Sequence, residues 1–228
     1  MLGITYKSAW FMAHRVREAM APAKGEPPIG GDGKTVEADE TFIGKSAKTR
    51  KYSGSGGYAH KMAVLSLTER GGNTRSFKLD GTPTACEIKG ILDKQIHSHS
   101  RLVTDGAQHY KGARFAKHQS VDHNKTYVTD GDVHTNTLEG YFSIFKRGMV
   151  GTYQHCGEQH LQRCLNEFDF RANNRKALGV DDVERTTLLR ARLASASRIG
   201  GLTKPRHSKQ LARALQRLRS QKRDQDGR

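Results

Sequence analysis

The middle of the chain alternates between hydrophobic and polar residues over short segments, a pattern typical of β-strands. Three such segments follow one another closely: TVEADETFIG at 35–44, HKMAVLSLTE at 60–69 and NTRSFKL at 73–79. RLVTDG at 101–106 predicts a short strand that ends in a turn, and KHQSVDH at 117–123 is a possible further strand. Together these segments predict one sheet.

Helical spacing of apolar residues marks the segments around these strands. TACEIKGILDKQI, at 84–96, predicts a helix between the third and fourth strands, and HTNTLEG, at 134–140, opens another after the last strand. A further helix is predicted from about residue 158 to 171, and an amphipathic one within residues 1–21. Strands and helices in this order predict an α/β fold with a mixed sheet flanked by helices.

Changes in composition divide the chain into four predicted parts. Residues 1–21 form the N-terminal helix, 22–34 are a linker rich in proline and glycine, 35–176 form the α/β domain, and 177–228 form a basic tail that is helical or disordered. Within the domain, residues 44–61 carry many basic and few apolar side chains. This segment is interpreted as a mobile loop that orders on DNA or, alternatively, as a plain solvated hairpin loop.

The net charge of the chain indicates which class of partner it attracts. The 228 residues include 39 Lys and Arg against 23 Asp and Glu, a formal net charge of +16. Such an excess predicts attraction to a polyanion, most commonly nucleic acid, although a basic structural protein such as a ribosomal one fits the charge equally well. Three cysteines without a CxxC pair, no signal peptide and no run of roughly 18 apolar residues predict a cytoplasmic protein that contacts no membrane.

Three carboxylates are candidates for chemistry. Asp39 lies in the first strand, Asp105 ends the fourth, and Glu139 stands at the start of the helix that follows. Taken singly, each has an ordinary interpretation: a solvated acidic edge strand, a turn residue before Gly106, and a capping-box partner of Asn136. Taken together, side chains from neighbouring strands and a following helix can converge on hard divalent cations, because Mg²⁺ prefers carboxylate oxygens.

Four blocks of the sequence resemble bacterial insertion-sequence transposases of the DDE type. They are VEADETFIGK, HKMAVLSLTERGG, LVTDGAQHYKG and the segment that runs from HTNTLEGYFSIFKRG to NEFDFRANNR. The branch they resemble carries an ISXO2-like transposase domain, and its full-length members add an N-terminal zinc ribbon and a helix-turn-helix. Covering about residues 3–175 in order, the resemblance implies an RNase H-like catalytic domain. It also implies cleavage at terminal inverted repeats and transfer of the ends into target DNA.

The resemblance further implies which residues act. The catalytic, metal-binding triad falls on Asp39, Asp105 and Glu139, with Lys146 as the associated basic residue. Some branches have Asn at the third position, and this chain also offers Asn136. The step of seven residues from Glu139 to Lys146 favours Glu139, because it puts both side chains on one helix face. The implied cofactor is Mg²⁺ or Mn²⁺, as two ions, which would activate the attacking oxygen and stabilise the leaving one.

Other polar residues are candidates for supporting roles. Those expected beside the site are Asn136, His134, His109 and Glu40, and those expected to contact DNA are Lys61, Lys111, Lys146 and Arg147. For the histidines, a polar loop position is an equally good explanation. Cys156, His160 and Cys164 have the spacing of one helix face, which rarely supplies three zinc ligands with tetrahedral angles.

The N-terminal segment LGITYKSAWFMAHRVREAM resembles the closing helix of the family's helix-turn-helix, and no zinc ribbon precedes it. The resemblance therefore implies an N-terminally truncated copy. Its partners would be transposon ends and target DNA, bound by a homodimer or higher oligomer in the cytoplasm or on the nucleoid, with no small-molecule substrate. Two alternatives stay open: an inactive remnant that binds DNA or inhibits intact transposase, and another RNase H-like nuclease that joins no strands.

Overall fold

The structure, a computed structural model, describes residues 3–23, 25–44, 60–80, 83–110, 112, 115–121 and 133–199. Residues 45–59 of the loop predicted at 44–61, Lys111 and the tail beyond residue 199 lie outside the described residues.

Five strands form one mixed sheet. They are β1 (Thr35–Ile43), β2 (Met62–Glu69), β3 (Thr74–Lys78), β4 (Arg101–Asp105) and β5 (Lys117–Val121). In space their order is β3-β2-β1-β4-β5. The pairs β1–β2 and β2–β3 are antiparallel, whereas β1–β4 and β4–β5 are parallel. Each predicted strand segment contains a strand, and the sheet confirms the predicted α/β fold with a mixed sheet.

Five α-helices accompany the sheet in the described part of the chain. They are α1 (Tyr6–Ala19), α2 (Ala85–Gln95), α3 (Asn136–Gly148), α4 (Leu161–Asn173) and α5 (Asp182–Ile199). The start of α2 is capped by the Thr84 hydroxyl, which accepts a hydrogen bond of 3.2 Å from the Glu87 amide. A π-helical turn, Met149–Tyr153, extends α3, and a 3₁₀ turn, Glu158–His160, leads into α4. The predicted helices are therefore present, and the C-terminal region begins as a helix.

One face of the sheet packs against α2. Val36 and Ala38 of β1 and Leu102 of β4 form a buried cluster with Ile88 and Leu92 of the helix. Residues alternate between the two faces along a strand, so the odd-numbered residues of β1 point to the opposite face.

The opposite face packs against α3 and α4. Val64 of β2 joins Phe145 of α3 with Leu165 and Phe168 of α4 in a second buried cluster. The rings of Phe145 and Phe168 meet edge to face, with centroids 5.2 Å apart. Gly148, at the end of α3, lies against the Phe168 ring where a Cβ atom would have no room. The two helices can therefore approach closely and cover this face together.

Helix α4 also closes the sheet edge at β3. The backbone amides of Thr74, Ser76 and Lys78 donate hydrogen bonds to the side chains of Asn173, Asp169 and Gln162, at 2.6, 2.7 and 2.9 Å. The Asn173 and Gln162 amide groups in turn donate to the carbonyl oxygens of Thr74 and Ser76, both at 2.9 Å. Three side chains on one face of a helix thus take the place of a further strand.

The chain forms two compact units. Met20–Arg185 contains the sheet, while α1 and the part of α5 from Thr186 onward belong to the other unit. Ile29, inside the predicted linker, is buried, and its amide donates a 2.8 Å hydrogen bond to the Gln95 carbonyl in the sheet-bearing unit. No helix of the described residues is long and apolar enough to span a membrane.

Candidate metal centre

Asp39 and Asp105 lie side by side where the pairing of two parallel strands ends, with Asp39 in the middle of β1 and Asp105 at the end of β4. The strands β1 and β4 pair from Thr35–Arg101 to Ala38–Thr104, and each aspartate directly follows the last pair. Because strand residues alternate, both side chains belong to the sheet face that α3 and α4 cover. β1 lies between β2 and β4, so the alternative of a solvated edge strand is wrong. Ligands of α/β sheets commonly bind at such strand ends.

Glu40 joins the two aspartates. One carboxylate oxygen from each of Asp39, Glu40 and Asp105 lies within 4.8 Å of the others, and the described residues contain no further group of this kind. The Glu40 amide donates to Asp39 Oδ1 at 2.7 Å, and the Ala107 amide donates to Asp105 Oδ1 at 3.1 Å. Asp105 is thus both a turn residue and a member of the group. A cluster of oxygen donors is the ligand chemistry that suits Mg²⁺ or Mn²⁺.

Glu40 is held from the α2 side of the sheet by residues that follow β4. His109 Nε2 lies 2.7 Å from Glu40 Oε1, and the Glu40 side chain is 7% exposed. Burial, together with the nearby charge of Asp105, raises the pKa of Glu40 to about 7. Burial lowers the pKa of His109, so the neutral imidazole is favoured. The predicted site-adjacent residues His109 and Glu40 therefore contact each other beside the aspartates.

Behind Glu40 lies the buried hydroxyl of Tyr110. It interacts electrostatically with Glu40, Asp105 and Asp39, yet it meets the geometry of a hydrogen bond with none of the described residues. Burial raises the pKa of Tyr110 well above its ordinary value, so the phenol keeps its proton. An uncharged hydroxyl therefore lies next to the three carboxylates.

The start of α3 is anchored by Glu37, which is fully buried two residues before Asp39. Glu37 accepts hydrogen bonds from the Leu138 amide at 3.1 Å and from Thr137 Oγ1 at 2.9 Å. The predicted cap at Asn136 is wrong: Thr135 holds the N-cap position without a side-chain cap bond, and Asn136 is the first helical residue. A buried carboxylate aimed at the helix start serves instead, because the helix dipole favours an anion there.

His134 belongs to this anchor rather than to the group of three carboxylates. Arg70 Nε lies 2.7 Å from Glu37 Oε1, and Arg70 Nη2 donates to the His134 carbonyl at 2.7 Å. The His134 ring nitrogen Nδ1 lies 3.6 Å from Glu37 Oε1. The predicted site-adjacent His134 thus stands at the junction of α3 with β1.

Glu139 lies outside the group in this structure. It is exposed on α3, and its carboxylate accepts a long hydrogen bond of 3.4 Å from Thr135 Oγ1. Lys146 and Arg147 are exposed in the last turn of the same helix, and Lys61 is exposed just before β2. Because Glu37 holds the first turn of α3 on the Asp39 face of β1, Glu139 sits on the element next to the aspartates.

Cys156, His160 and Cys164 were predicted to lie on one helix face, but only Cys164 lies in α4, because this helix begins at Leu161. Cys164 is buried in α4, and its sulfur lies 3.3 Å from the sulfur of Cys156, which precedes the helix. Both sulfurs belong to the apolar contacts beneath α3 and α4. Within the described residues these cysteines and His160 are not part of a metal-capable group.

Comparison with known proteins identifies the family. A family model described as the ISXO2-like transposase domain matches residues 30–173, more than half of the chain. The chain belongs to this family. Membership in the ISXO2-like transposase domain family confirms the predicted resemblance and supports a DDE transposase role, with the use of a divalent metal that this role implies.

Comparison with solved structures adds a structural neighbour. A solved structure, the crystal structure of a pre-cleavage Mos1 transpososome, matches with 10% sequence identity and a TM-score of 0.30. The match covers 83% of this chain and 64% of that one, so the chain spans about 64% of the length of its neighbour. No curated protein matches the chain significantly.

Sequence reasoning missed two residues that shape the surroundings of these carboxylates. Glu37 lies in the segment VEADETFIGK and Tyr110 in the segment LVTDGAQHYKG, and neither was a candidate. For Glu37, a signal was available: an acid at an inward position of a strand, with Arg70 directly after the partner strand, predicts a buried ion pair. Nothing local marks Tyr110, because its position depends on the turn after β4.

Proposed function

We propose that this chain is the catalytic part of a transposase that cuts DNA at transposon ends and transfers the cut strands into target DNA. The observation that carries the proposal is the proximity of Asp39 and Asp105 just beyond the last pair of the parallel β1–β4 ladder, in a member of a transposase family. A cluster of acids in a chain of net charge +16 makes sense if cations neutralise the acids while Lys and Arg hold the phosphates.

Asp39 and Asp105 would hold the divalent cation, with Glu139 as the further carboxylate of the triad. When bound, Mg²⁺ or Mn²⁺ supplies Lewis-acid stabilisation of the attacking and leaving oxygens, and two ions are expected in this chemistry. Glu139 is preferred to Asn136, because it shares a helix face with Lys146 and its exposed side chain can change rotamer. Lys146, seven residues on, would contact a phosphate beside the ions.

Transposon ends and target DNA are the proposed partners. Pairing two ends requires at least two copies of a catalytic domain, so we propose a homodimer or higher oligomer on DNA. Lys61, Lys146 and Arg147 are exposed and are proposed to contact the phosphate backbone.

The test uses the full chain, a pre-nicked terminal-repeat duplex, a target duplex and Mg²⁺ or Mn²⁺. We expect cleavage and strand transfer by the wild type. Asp39→Ala and Asp105→Ala should each abolish both steps, by at least about 10³-fold, while DNA affinity changes little, because each removes a ligand of the ion that stabilises the transition state. Asp93→Ala, an exposed acid on α2, is the matched control and should keep activity.

The outcomes separate the rival functions. Cleavage without joined products would identify an RNase H-like nuclease. DNA binding without cleavage in either metal would identify an inactive remnant. Full activity of Asp39→Ala or Asp105→Ala would contradict the assignment of the site.

A further inference from the structure

We propose that Glu40 supplies a third carboxylate ligand to the divalent cation held by Asp39 and Asp105, and that His109 orients it. The inference rests on the proposed function, since it concerns the same metal centre. It adds a ligand that the DDE pattern does not contain.

The first argument is the reach of Glu40. Asp39 and Glu40 are neighbours on β1 and would point to opposite sheet faces on an ideal strand. The ladder between β1 and β4, however, ends at Ala38–Thr104, so no strand pairing closes the gap at the level of Glu40. An oxygen of Glu40 lies within 4.8 Å of oxygens of both Asp39 and Asp105. Two side chains from opposite faces therefore meet just beyond the end of the β1–β4 ladder.

The second argument is the cost of burying this carboxylate. The Glu40 side chain is 7% exposed and lies among two other acids, an arrangement that costs free energy unless a cation or a proton compensates it. No Lys or Arg is paired with Glu40 in the described structure, whereas Glu37, two residues away, is paired with Arg70. A bound cation would provide the compensation that Glu40 lacks.

The third argument is orientation. His109 Nε2, 2.7 Å from Glu40 Oε1, fixes one oxygen of the carboxylate. Metal-binding carboxylates are commonly held in this way by hydrogen bonds from a second layer of residues. The buried Tyr110 hydroxyl, which has no partner of hydrogen-bond geometry among the described residues, faces the same three acids and can donate to an oxygen that the cation leaves free.

Asp93 provides the comparison for loss of charge alone. It is an exposed acid on α2 and lies outside the group. Loss of one negative charge away from the centre should weaken cation binding slightly. Loss of a ligand should weaken it much more, and Glu40 is placed to show this larger effect.

The experiment measures Mn²⁺ binding to the full chain without DNA, by electron paramagnetic resonance of free Mn²⁺ and by calorimetry. Glu40→Gln should raise the dissociation constant by about 10-fold or more, the size found when supporting groups of a metal site are lost. Asp93→Asn should raise it by less than about 3-fold, as expected for screened charge alone. Asp39→Asn should raise it at least as much as Glu40→Gln.

A second variant keeps the test decisive if Glu40→Gln does not fold. His109→Phe leaves the carboxylate in place but removes its orienting group, and it should raise the Mn²⁺ dissociation constant by about 10-fold. Wild-type Mn²⁺ affinity in Glu40→Gln, or in His109→Phe when the former is unfolded, would overturn the inference and leave the proposed function intact. Absence of Mn²⁺ binding by the wild type, or wild-type affinity in Asp39→Asn, would overturn the metal centre itself.

Discussion

At the scale of single residues, Asp169 shows how burial changes a carboxylate. It lies on α4 and accepts hydrogen bonds from the Ser76 amide, the Ser76 hydroxyl and the Tyr141 hydroxyl, at 2.7, 2.7 and 2.6 Å. Burial raises the pKa of Asp169 to about 6, and these donors only partly offset the effect. These hydrogen bonds favour the charged carboxylate, but the loss of solvent around it raises the pKa of Asp169 by more than they lower it.

The pKa of Asp169 makes a prediction about stability and pH. A carboxyl whose pKa is higher in the folded than in the unfolded protein stabilises the fold when protonated, so this contribution is lost as pH rises from about 4 to about 6. We expect Asp169→Asn, which cannot titrate, to be destabilised more relative to wild type at pH 5 than at pH 7, by on the order of 1 kcal/mol. Urea unfolding at both pH values measures this difference, and an equal deficit at both would contradict it.

At the scale of elements, strands and helices were predictable because their signals are local. Alternation along 35–44 and 60–69 and the helical spacing of 84–96 each lie within a few residues of sequence. The joints between elements were not predictable in the same way. Glu37 anchors the start of α3 by accepting a hydrogen bond from the Leu138 amide, 101 residues away in sequence. Asp169 accepts one from the Ser76 amide of β3, 93 residues away.

The residues of the site also differ in whether local sequence could predict them. The proximity of Asp39 and Asp105 was predictable, because both lie on strands expected to be neighbours and within motifs of one family. The roles of Glu40 and Asn136 were not, because each depends on the tertiary setting. The ladder ends before Glu40 and so lets it turn toward the aspartates, while a distant carboxylate takes the capping role for which Asn136 was the local candidate.

The cover that α4 gives to β3 leads to a prediction for this element. Gln162→Ala with Asn173→Ala leaves four backbone groups of the edge without their partners, so we expect a loss of about 2–4 kcal/mol in the free energy of unfolding and concentration-dependent aggregation. Asn174→Ala is the control, since its side chain bonds only to the Phe170 carbonyl of its own helix. Chemical unfolding and light scattering measure the two effects. Equal behaviour of the double variant and the control would refute the edge-covering role.

At the scale of the whole molecule, charge and acid chemistry are separated in a way that suits a DNA-cleaving protein. The net charge is +16, yet three acids meet at one point of the sheet. Long-range attraction to DNA is therefore expected from the excess of basic residues in the whole chain, while these three acids cluster where the β1–β4 ladder ends. Phosphate contacts release counterions, so DNA affinity should fall steeply with salt, by about 10³- to 10⁵-fold between 50 and 200 mM for 6–10 contacts.

Removing basic side chains from opposite faces of the sheet tests where DNA contacts the protein. Lys146→Gln with Arg147→Gln removes two charges from the helix that carries Glu139, whereas Lys89→Gln with Lys94→Gln removes two from α2 on the other face. If DNA lies over the Asp39 face, the first pair should lower the slope of log affinity against log salt by about 1.8, and the second should change it little. Fluorescence anisotropy with one labelled duplex at several salt concentrations gives both slopes. Equal losses would mean that the two faces attract DNA alike and that α3 does not guide it to the carboxylates.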